Sequence, residues 1–447
     1  MLWDLEQMET LKTYDTTTSK SATLHVFTKD EKYALGLINV GTFLEYFDFC
    51  TYLHIAVVLN GVFFPKSDSY TKSLLIALSF SMAYVLRPIG SLIFGLWGDL
   101  RGRKQTIILT TSMMAFSSLV LAFLPTYDQI GFKASCIVLL CRMIQGISSG
   151  VEFTGARIYV TELTEKYHPY FYTAIVGAVA DAGALFSLAI CSLMLWISPN
   201  HGWRGVFFLG AGIAIVSAIS RTKLKESPEF LEKLKKFKEF SNQKKALYTA
   251  FKENLLNTIC YFLMELIRPF LGFTFLIYMG QYLSLHYGYT PEQIVRHNFF
   301  ITLVSFAVHL FFIFLTRYIH PIKILKFTTI VLFFLSLALP FLIKQSTTIF
   351  DIFVIQVICW SLNVTSIGSA IFVKGFPTIG RFTMLGFSFS FARAIGAVAT
   401  SYGCIWLAEK YSFAGISILM TSMVILYGIG LHFFLPDGNR SNKEGIV

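Results

Sequence analysis

Charged side chains are scarce in this sequence. Asp, Glu, Lys and Arg make up 14% of its 447 residues, whereas 55% are hydrophobic and 45 are phenylalanine. Soluble proteins carry about 25% charged residues, and a soluble domain cannot hide so much apolar surface, so lipid is the expected solvent. The formal net charge of +11 also occurs in nucleic-acid-binding proteins. In a membrane protein it arises from basic cytoplasmic loops, so we expect no nucleic-acid partner.

Patterns typical of disulfides, metal sites and catalysis are also lacking. The seven cysteines are scattered, mostly within apolar stretches, as expected for small buried hydrophobic residues. Neither an HExxH zinc motif nor a GxxxxGK[ST] phosphate loop occurs, and we expect no nucleophile elbow. The sequence therefore predicts neither an enzyme nor direct coupling to ATP, and no cofactor. The N-terminus lacks the basic start and short apolar core of a cleavable secretory signal.

The apolar residues form twelve segments, each long enough for a transmembrane helix of about 20 residues. They lie at 33–62, 73–96, 106–124, 134–160, 171–197, 205–220, 256–286, 293–316, 325–343, 349–372, 384–407 and 414–434. The sequence thus predicts an all-α membrane protein with two six-helix bundles, at 33–220 and 256–434. An N-terminal arm (1–32), a basic linker (221–255) and a tail (435–447) make up the rest.

The distribution of basic residues predicts the orientation. Lys and Arg are concentrated in the linker and in the loops on the same side of the membrane as the termini. This bias places both termini in the cytoplasm. Two bundles joined by one linker can rock about a site at their interface, which is the basis of alternating access.

The turn Gly95–Lys104 between the second and third segments is the most distinctive stretch. Its glycines permit a tight reversal, and its basic residues predict a cytoplasmic position. Asp99 needs a partner if it is buried. The simpler interpretation is a solvated hairpin, but the two-bundle organisation favours a latch in which Asp99 docks on the facing bundle. Arg103, Arg157 and Glu162 are the candidates for a charge relay around it.

Acids and arginines in equal number lie inside the predicted spans. They are Glu45, Asp48, Arg87, Arg142, Glu152, Arg157, Asp181, Glu265, Arg268 and Arg393. A charge in the membrane core costs on the order of 3 kcal/mol or more, so each should face protein or a water-filled cavity. The balance of signs indicates that many of them are paired.

Glu45 and Asp48 are the sharpest pair. Their i, i+3 spacing puts both carboxylates on one helix face near the middle of the bilayer. Two adjacent acids in a low-dielectric medium do not both ionise easily, which suits a proton carrier. The alternative is that they neutralise a structural arginine on another helix.

The fourth span contains a second polar group of residues. Arg142 and Gln145 share a face, and Glu152 follows almost three turns later. Arg142 is a candidate for the substrate or coupling site, and Glu152 for either function or a packing seam. The small residues between them allow another helix to approach closely.

For the remaining intramembrane charges we expect structural roles before transport roles. Glu265 and Arg268 have i, i+3 spacing and are expected to neutralise each other. Arg393 has no local acid and should pair across helices, whereas Asp181 lies beside Gly183 in the fifth span. His309 lies in an apolar span with no neighbouring nucleophile and is a poor catalytic candidate.

These residues resemble the major facilitator superfamily and, within it, the metabolite:proton symporters, most closely the bacterial members that carry proline and betaine. The superfamily's signature loop is matched by Gly95, Gly98, Asp99, Gly102, Arg103 and Lys104. Family patterns are matched at Gly41–Phe49, Arg87–Gly90, Gln145–Gly146, Glu152–Gly155, Glu162, Trp203–Arg204 and Glu226–Pro228. The second half matches thinly, mainly at 376–381 and 278–283. Its corresponding turn, 316–323, lacks the glycines and the acid.

The resemblance implies cation-coupled uptake driven by a proton gradient, with sodium as the alternative ion. Glu45 and Asp48 would belong to the coupling region, and Arg142 and Glu152 would line or support the central cavity. We include Asp181 in this group as a further candidate. The implied protein is a multi-pass protein of the bacterial inner membrane, and we expect a monomer.

The substrate is less well specified. For a zwitterion such as proline or betaine, an acid and aromatic rings suit the ammonium group and an arginine suits the carboxylate. The substrate candidates are Tyr46, Arg87, Gln145, Trp360 and Arg393, although packing against lipid is the simpler role for the two aromatic residues. Organic anions such as 2-oxoglutarate or citrate are the alternative. A membrane receptor that does not transport is the second functional class.

Overall fold

A computed structural model describes residues 28–65, 84–164, 169–198, 201–222, 243–345, 348–378 and 380–434. The described residues are helical with short turns, and no strand occurs among them. The helices of the first half are α1 (Lys29–Phe63), α2 (Arg87–Arg101), α3 (Arg103–Phe123), α4 (Phe132–Leu163), α5 (Pro169–Ile197) and α6 (Gly202–Arg221). Two further helices lie outside the spans, at Tyr127–Ile130 and Gln243–Glu253.

The helices of the second half are less regular. They are α7 (Leu255–Tyr287), α8 (Pro291–Leu315), α9 (Pro321–Gln345), α10 (Ile349–Lys374), α11 (Arg381–Ala408) and α12 (Lys410–Phe433). Helix α7 is interrupted at Leu266 and includes a π-helical stretch at Phe273–Tyr278. Helix α10 is broken by a 3₁₀ turn at Thr365–Gly368. Ser412, at φ 53°, marks a kink within the continuous run from α11 into α12.

Nine of the described helices are long and apolar enough to cross a membrane, namely α3, α4, α5 and α7–α12. Helix α1, with 35 residues, and α6, with an apolar stretch at Gly202–Val216, account for two more predicted spans. Part of the predicted second span, 73–83, lies outside the described residues, and α2 is its described part. The architecture is therefore the predicted one, twelve transmembrane helices in two six-helix bundles.

Helices of each half pack mainly on each other, through α1 with α5 and α3 with α6, and through α7 with α11 and α9 with α12. The two halves meet where α2 and α4 contact α11, and where α5 contacts α8 and α10. The predicted boundaries of the arm, linker and tail stay predictions, because residues 1–27, 223–242 and 435–447 lie outside the described ranges.

Small residues permit the closest helix contacts. Gly90 of α2 lies so near α4 that a Cβ atom placed on it would be 1.9 Å from the carbonyl oxygen of Ile147. Backbone approach of this kind is typical of helix packing in membranes, where van der Waals contact replaces the hydrophobic effect between helices.

We expect Gly90→Ala to lower the free energy of unfolding by about 1 to 3 kcal/mol, because the added methyl group overpacks the contact between α2 and α4. The measurement is the thermal unfolding of the detergent-purified protein. The control is Gly36→Ala in α1, where a Cβ atom has no neighbour within 4 Å. Equal melting temperatures for the two variants would contradict the close contact.

Candidate functional site

Asp48 lies at the centre of a polar network inside the first half. Its side chain is 1% exposed and accepts hydrogen bonds from the hydroxyl of Ser118 on α3 and from Gln145 Nε2 on α4, the latter at 3.4 Å. Arg142 Nη1 donates to Gln145 Oε1 at 2.9 Å. Arg142 therefore reaches Asp48 through the amide of Gln145, which can both accept from the guanidinium and donate to the carboxylate.

Glu45 and Asp48 also share a cavity, which we call the acidic cavity. Its lining is Leu44, Glu45, Asp48, Thr111, Met114, Glu152 and Ala214. Glu152, 1% exposed, accepts a hydrogen bond from Thr111 Oγ1 at 2.8 Å. The i, i+3 spacing on α1 thus brings both carboxylates to one space, and α4 adds a third acid. Three carboxyl groups from two helices therefore share one small space inside the first half.

A second cavity lies between the two halves, and we call it the interface cavity. Its lining is Glu45, Tyr46, Phe49, Arg87, Ser149, Phe153 and Phe389. Phe389 comes from α11, and all the other lining residues come from the first half. Glu45 lines both cavities, so it stands between the Asp48 network and the interface of the halves. An acid in this position can exchange protons on one side and contact a solute on the other.

The guanidinium groups of two arginines lie near the ring of Phe49. The Arg87 guanidinium is 4.1 Å from the Phe49 ring centroid and 4.7 Å from that of Tyr84. The Arg142 guanidinium lies 4.0 Å from the Tyr52 ring centroid and 5.6 Å from that of Phe49. Cation–π contacts of this kind stabilise buried guanidinium groups without neutralising them.

The aromatic candidates take different places. Tyr46 lines the interface cavity and makes an edge-to-face contact with Phe153, with ring centroids 5.1 Å apart. Packing against lipid is therefore not its main role. Trp360 packs against Gly272 of α7 and lines neither cavity.

Asp181 forms a cluster with the second half. Arg268 Nη2 of α7 donates to Asp181 Oδ1, and His309 Nδ1 of α8 lies 2.7 Å from Asp181 Oδ2. His309 Nε2 is 2.5 Å from the hydroxyl oxygen of Ser366 in the 3₁₀ turn of α10. This interface cluster, Asp181, Arg268, His309 and Ser366, joins one acid of the first half to three helices of the second. Sequence reasoning missed the part played by His309, for which no local pattern exists.

The expected neutralisation of Glu265 by Arg268 is wrong. Arg268 pairs with Asp181, and Glu265 instead accepts from Arg393 Nη2 at 3.1 Å and lies 3.8 Å from Arg157 Nη1. Leu266 between them keeps helical φ and ψ, and each of the two residues instead pairs with a residue of another helix. The expectation that Arg393 pairs across helices is confirmed.

The turn Gly95–Lys104 contacts the facing half. Asp99 is fully buried, and its carboxylate accepts from the Thr383 amide at 3.0 Å and from the Thr383 hydroxyl at 2.7 Å. Thr383 belongs to the first turn of α11, so a carboxylate from one half caps a helix of the other. Gly95 and Gly98 lie directly against Thr383 and Phe382. Gly102, at φ 124°, makes the reversal between α2 and α3, a conformation suited to glycine.

The charges expected around Asp99 are arranged differently from the expected relay. Glu162 Oε1 accepts from Arg381 Nη1 of α11 at 2.9 Å, which adds a second contact between the halves. Arg157 is directed elsewhere, to Glu265 and to the hydroxyl of Tyr261, the latter at 3.1 Å. The side chain of Arg103 lies outside the described residues, and Lys104 is half-buried.

The matching turn of the second half also contacts the other half, although it lacks an acid. The Arg317 guanidinium lies 4.0 Å from the Phe171 ring centroid, near the start of α5. Tyr170 makes an edge-to-face contact with His320. Aromatic contacts thus replace the carboxylate cap on this side.

The sequence does contain the GxSxG pattern of a nucleophile elbow, but not the structure. Residues Gly146–Gly150 match the GxSxG pattern, but they lie within α4. Ser148 Oγ donates to the Ile144 carbonyl at 2.9 Å, one turn back in the same helix. A nucleophile elbow requires a sharp turn from a strand to a helix, so this stretch is helix packing rather than a catalytic site. The described residues contain no cluster of three or more potential metal ligands.

Comparison with known proteins decides the family. A model described as Major Facilitator Superfamily matches residues 40–400. The chain belongs to this superfamily. Its family is thus one of membrane transporters rather than of enzymes.

The curated relatives are transport proteins. The proline/betaine transporter of Escherichia coli K12 is 30% identical over 275 residues, which cover 57% of this chain and 54% of that protein. The inner membrane metabolite transport protein YhjE of the same organism is 28% identical over 406 residues, covering 88% of this chain and 91% of that protein. The chain thus matches about half the length of the proline/betaine transporter.

Solved structures of this superfamily share the fold. The proton:xylose symporter XylE bound to 6-bromo-6-deoxy-D-glucose has a TM-score of 0.73 at 14% identity, covering 91% of this chain and 96% of that chain. The human organic anion transporter MFSD10 has a TM-score of 0.63 at 17% identity, and the match covers 91% of this chain and 100% of that chain. Identities this low establish the shared fold alone.

We expect Asp181→Asn to lower the free energy of unfolding by about 3 kcal/mol, because Arg268 then keeps its charge without an acid partner. The measurement is thermal unfolding in detergent. Ser366→Ala is the control within the same cluster and should cost about 1 kcal/mol, the worth of one hydrogen bond. A double variant, Asp181→Asn with Arg268→Gln, should recover part of the loss, and no recovery would contradict the pairing.

We expect Asp99→Asn to slow transport with little change in equilibrium solute affinity. The substitution keeps a hydrogen-bond acceptor but removes the charge that favours docking on the α11 N-terminus. The measurement compares initial uptake rates in proteoliposomes with solute binding in detergent. An affinity that falls as far as the rate would show that Asp99 acts on the binding site instead.

Proposed function

We propose that this transporter is a proton-coupled symporter that takes up a small zwitterionic solute, such as proline or glycine betaine, by alternating access. The observation that carries the proposal is the position of Glu45, which lines both the acidic cavity with Asp48 and the interface cavity with Arg87. A single acid thus connects a candidate proton site to a candidate solute site.

The Asp48 network supports protons as the coupling ion. Its hydrogen-bond partners among the described residues, Ser118 and Gln145, are neutral. Glu45 and Glu152 line the same cavity, so three carboxyl groups share one space. A carboxyl group can carry a proton without a dedicated ligand cage. Sodium is the alternative ion, and a dependence of uptake on the sodium gradient would identify it.

The contacts between the halves support alternating access. Asp99 and Glu162 join the two halves on the side of the turn Gly95–Lys104. The positive-inside bias assigns this side to the cytoplasm, so the arrangement corresponds to a state that is closed on the inside. We further propose a bacterial inner membrane, cytoplasmic termini and a monomer.

The nature of the solute rests on chemistry and on the relatives. An acid, an arginine and aromatic rings line the interface cavity, which suits the two ends of a zwitterion. A relative that is 30% identical is named as a proline/betaine transporter. Organic anions such as 2-oxoglutarate or citrate are the alternative, since one arginine would also serve them. A receptor that does not transport would bind solute without flux.

Uptake of labelled proline or betaine into proteoliposomes tests the proposal. Uptake should require an inward proton gradient. We expect Asp48→Asn to abolish accumulation and to leave solute exchange, because asparagine retains hydrogen-bonding capacity but cannot carry a proton. Glu253→Gln, at an exposed carboxylate near the end of helix Gln243–Glu253, is the control and should accumulate solute normally.

Two outcomes would count against the proposal. Normal accumulation by Asp48→Asn would remove Asp48 from the coupling site. Solute binding without flux in the unaltered protein would favour the receptor.

A further inference from the structure

The five arginines that the sequence places inside the spans differ in their partners. Arg268 pairs with Asp181, and Arg157 and Arg393 both face Glu265. Arg142 donates to Gln145. Each of these four groups therefore has an acid or an amide that accepts from it or balances its charge.

Arg87 is the exception among them. It is 6% exposed, and its Nε atom, like those of Arg142, Arg157 and Arg393, has no hydrogen-bond partner among the described residues. Within the described residues its side chain makes neither a hydrogen bond nor an ion pair, and its contacts are the faces of Phe49 and Tyr84. Stacking on rings leaves the edge of a guanidinium group available, and this edge matches a carboxylate in bidentate geometry.

The position of Arg87 favours an anionic ligand group. It lines the interface cavity, next to the rings of Phe49 and Phe153. A buried charge without a partner is costly in a membrane. We therefore expect an anionic group of the bound solute to compensate the charge of Arg87.

The other lining groups indicate what accompanies that anion. Glu45 supplies a negative charge in the same cavity, and Tyr46, Phe153 and Phe389 supply aromatic rings. The cavity thus holds one arginine and one acid. This charge complement suits a compact zwitterion better than a dicarboxylate, for which Glu45 would be repulsive and a second arginine would be needed.

We infer that Arg87 binds the carboxylate of the transported solute, while Glu45 and the aromatic rings hold its cationic end. The inference rests on the proposed uptake of a zwitterion and specifies its binding site. It separates Arg87 from Arg142, which lines neither cavity and acts through Gln145 on Asp48. It also separates it from Arg268 and Arg393, whose charges are already matched by acids.

Equilibrium binding to the detergent-purified protein, with no proton gradient, tests the inference. Three probes of similar size differ by one feature: glycine betaine has both charges, choline lacks the carboxylate, and tert-butylacetate lacks the positive charge. Proline, prolinamide and cyclopentanecarboxylate form a second series. In the unaltered protein the zwitterion of at least one series should bind about 10-fold or more tightly than either analogue.

Substitution of Arg87 should remove this preference selectively. We expect Arg87→Gln to weaken zwitterion binding about 10- to 100-fold and to leave choline or prolinamide binding within about twofold, because those probes lack the group that Arg87 holds. The zwitterion affinity of Arg87→Lys should lie between those of the unaltered protein and Arg87→Gln, since lysine keeps the charge but cannot form the bidentate contact of a guanidinium group. The control is Arg204→Gln, at an arginine stacked 4.5 Å from the Trp203 ring centroid and away from both cavities, which should leave the preference intact.

Other outcomes would overturn the inference. Equal weakening of betaine and choline by Arg87→Gln would indicate a structural role, and so would an equal effect of Arg204→Gln. Absence of binding by every carboxylate probe would also overturn it. Binding of 2-oxoglutarate in place of both zwitterions would reject the zwitterion site and leave proton coupling untouched. If the probes bind as expected but uptake does not depend on a proton gradient, proton coupling would be rejected and the role of Arg87 in the binding site would be retained.

Discussion

The cost of a charge in the membrane core is the constraint on which this structure depends. Few of its intramembrane charges are balanced within their own helix. Among the described residues, Asp181 is matched only by groups of the second half, and Arg157 of the first half is matched by Glu265 of the second. The electrostatic requirement that each charge be compensated is therefore also a requirement that the halves meet. Folding and docking of the bundles share the same interactions.

The hydrophobic pattern was enough to predict the helical architecture, because a lipid-spanning backbone must satisfy its own hydrogen bonds. The i, i+3 spacing of Glu45 and Asp48 correctly predicted a shared face, since α1 is regular there. The same spacing did not predict the partners of Glu265 and Arg268, because each pairs with a residue of another helix. His309 was missed for a different reason. Its partners Asp181 and Ser366 are distant in sequence, so no neighbouring residue in the sequence indicates that this histidine has polar partners.

The corresponding turns of the two halves contact the opposite half through different interactions. At the turn Gly95–Lys104 the contact is a carboxylate on the first turn of α11, which combines directed hydrogen bonds with a charge–dipole attraction. At the corresponding turn of the second half, Arg317 lies over Phe171 instead. A cation–π contact is less directional than a capped helix, so the first of these turns has the greater influence on the orientation of its helix.

The ion pairs between the halves differ in how many charges are left without a partner when the halves separate. Glu265 keeps Arg393 from its own half, so moving Arg157 away leaves that acid compensated. Asp181 has no such reserve among the described residues, because both its partners, Arg268 and His309, belong to the second half. Separation of the halves leaves Arg157 without an acid, but it leaves both Asp181 and Arg268 without a partner, so breaking the interface cluster costs more. In the alternating access that we propose, the contact of α5 with α8 is thus the more favourable pivot, and the contact of α4 with α7 is the more favourable one to open.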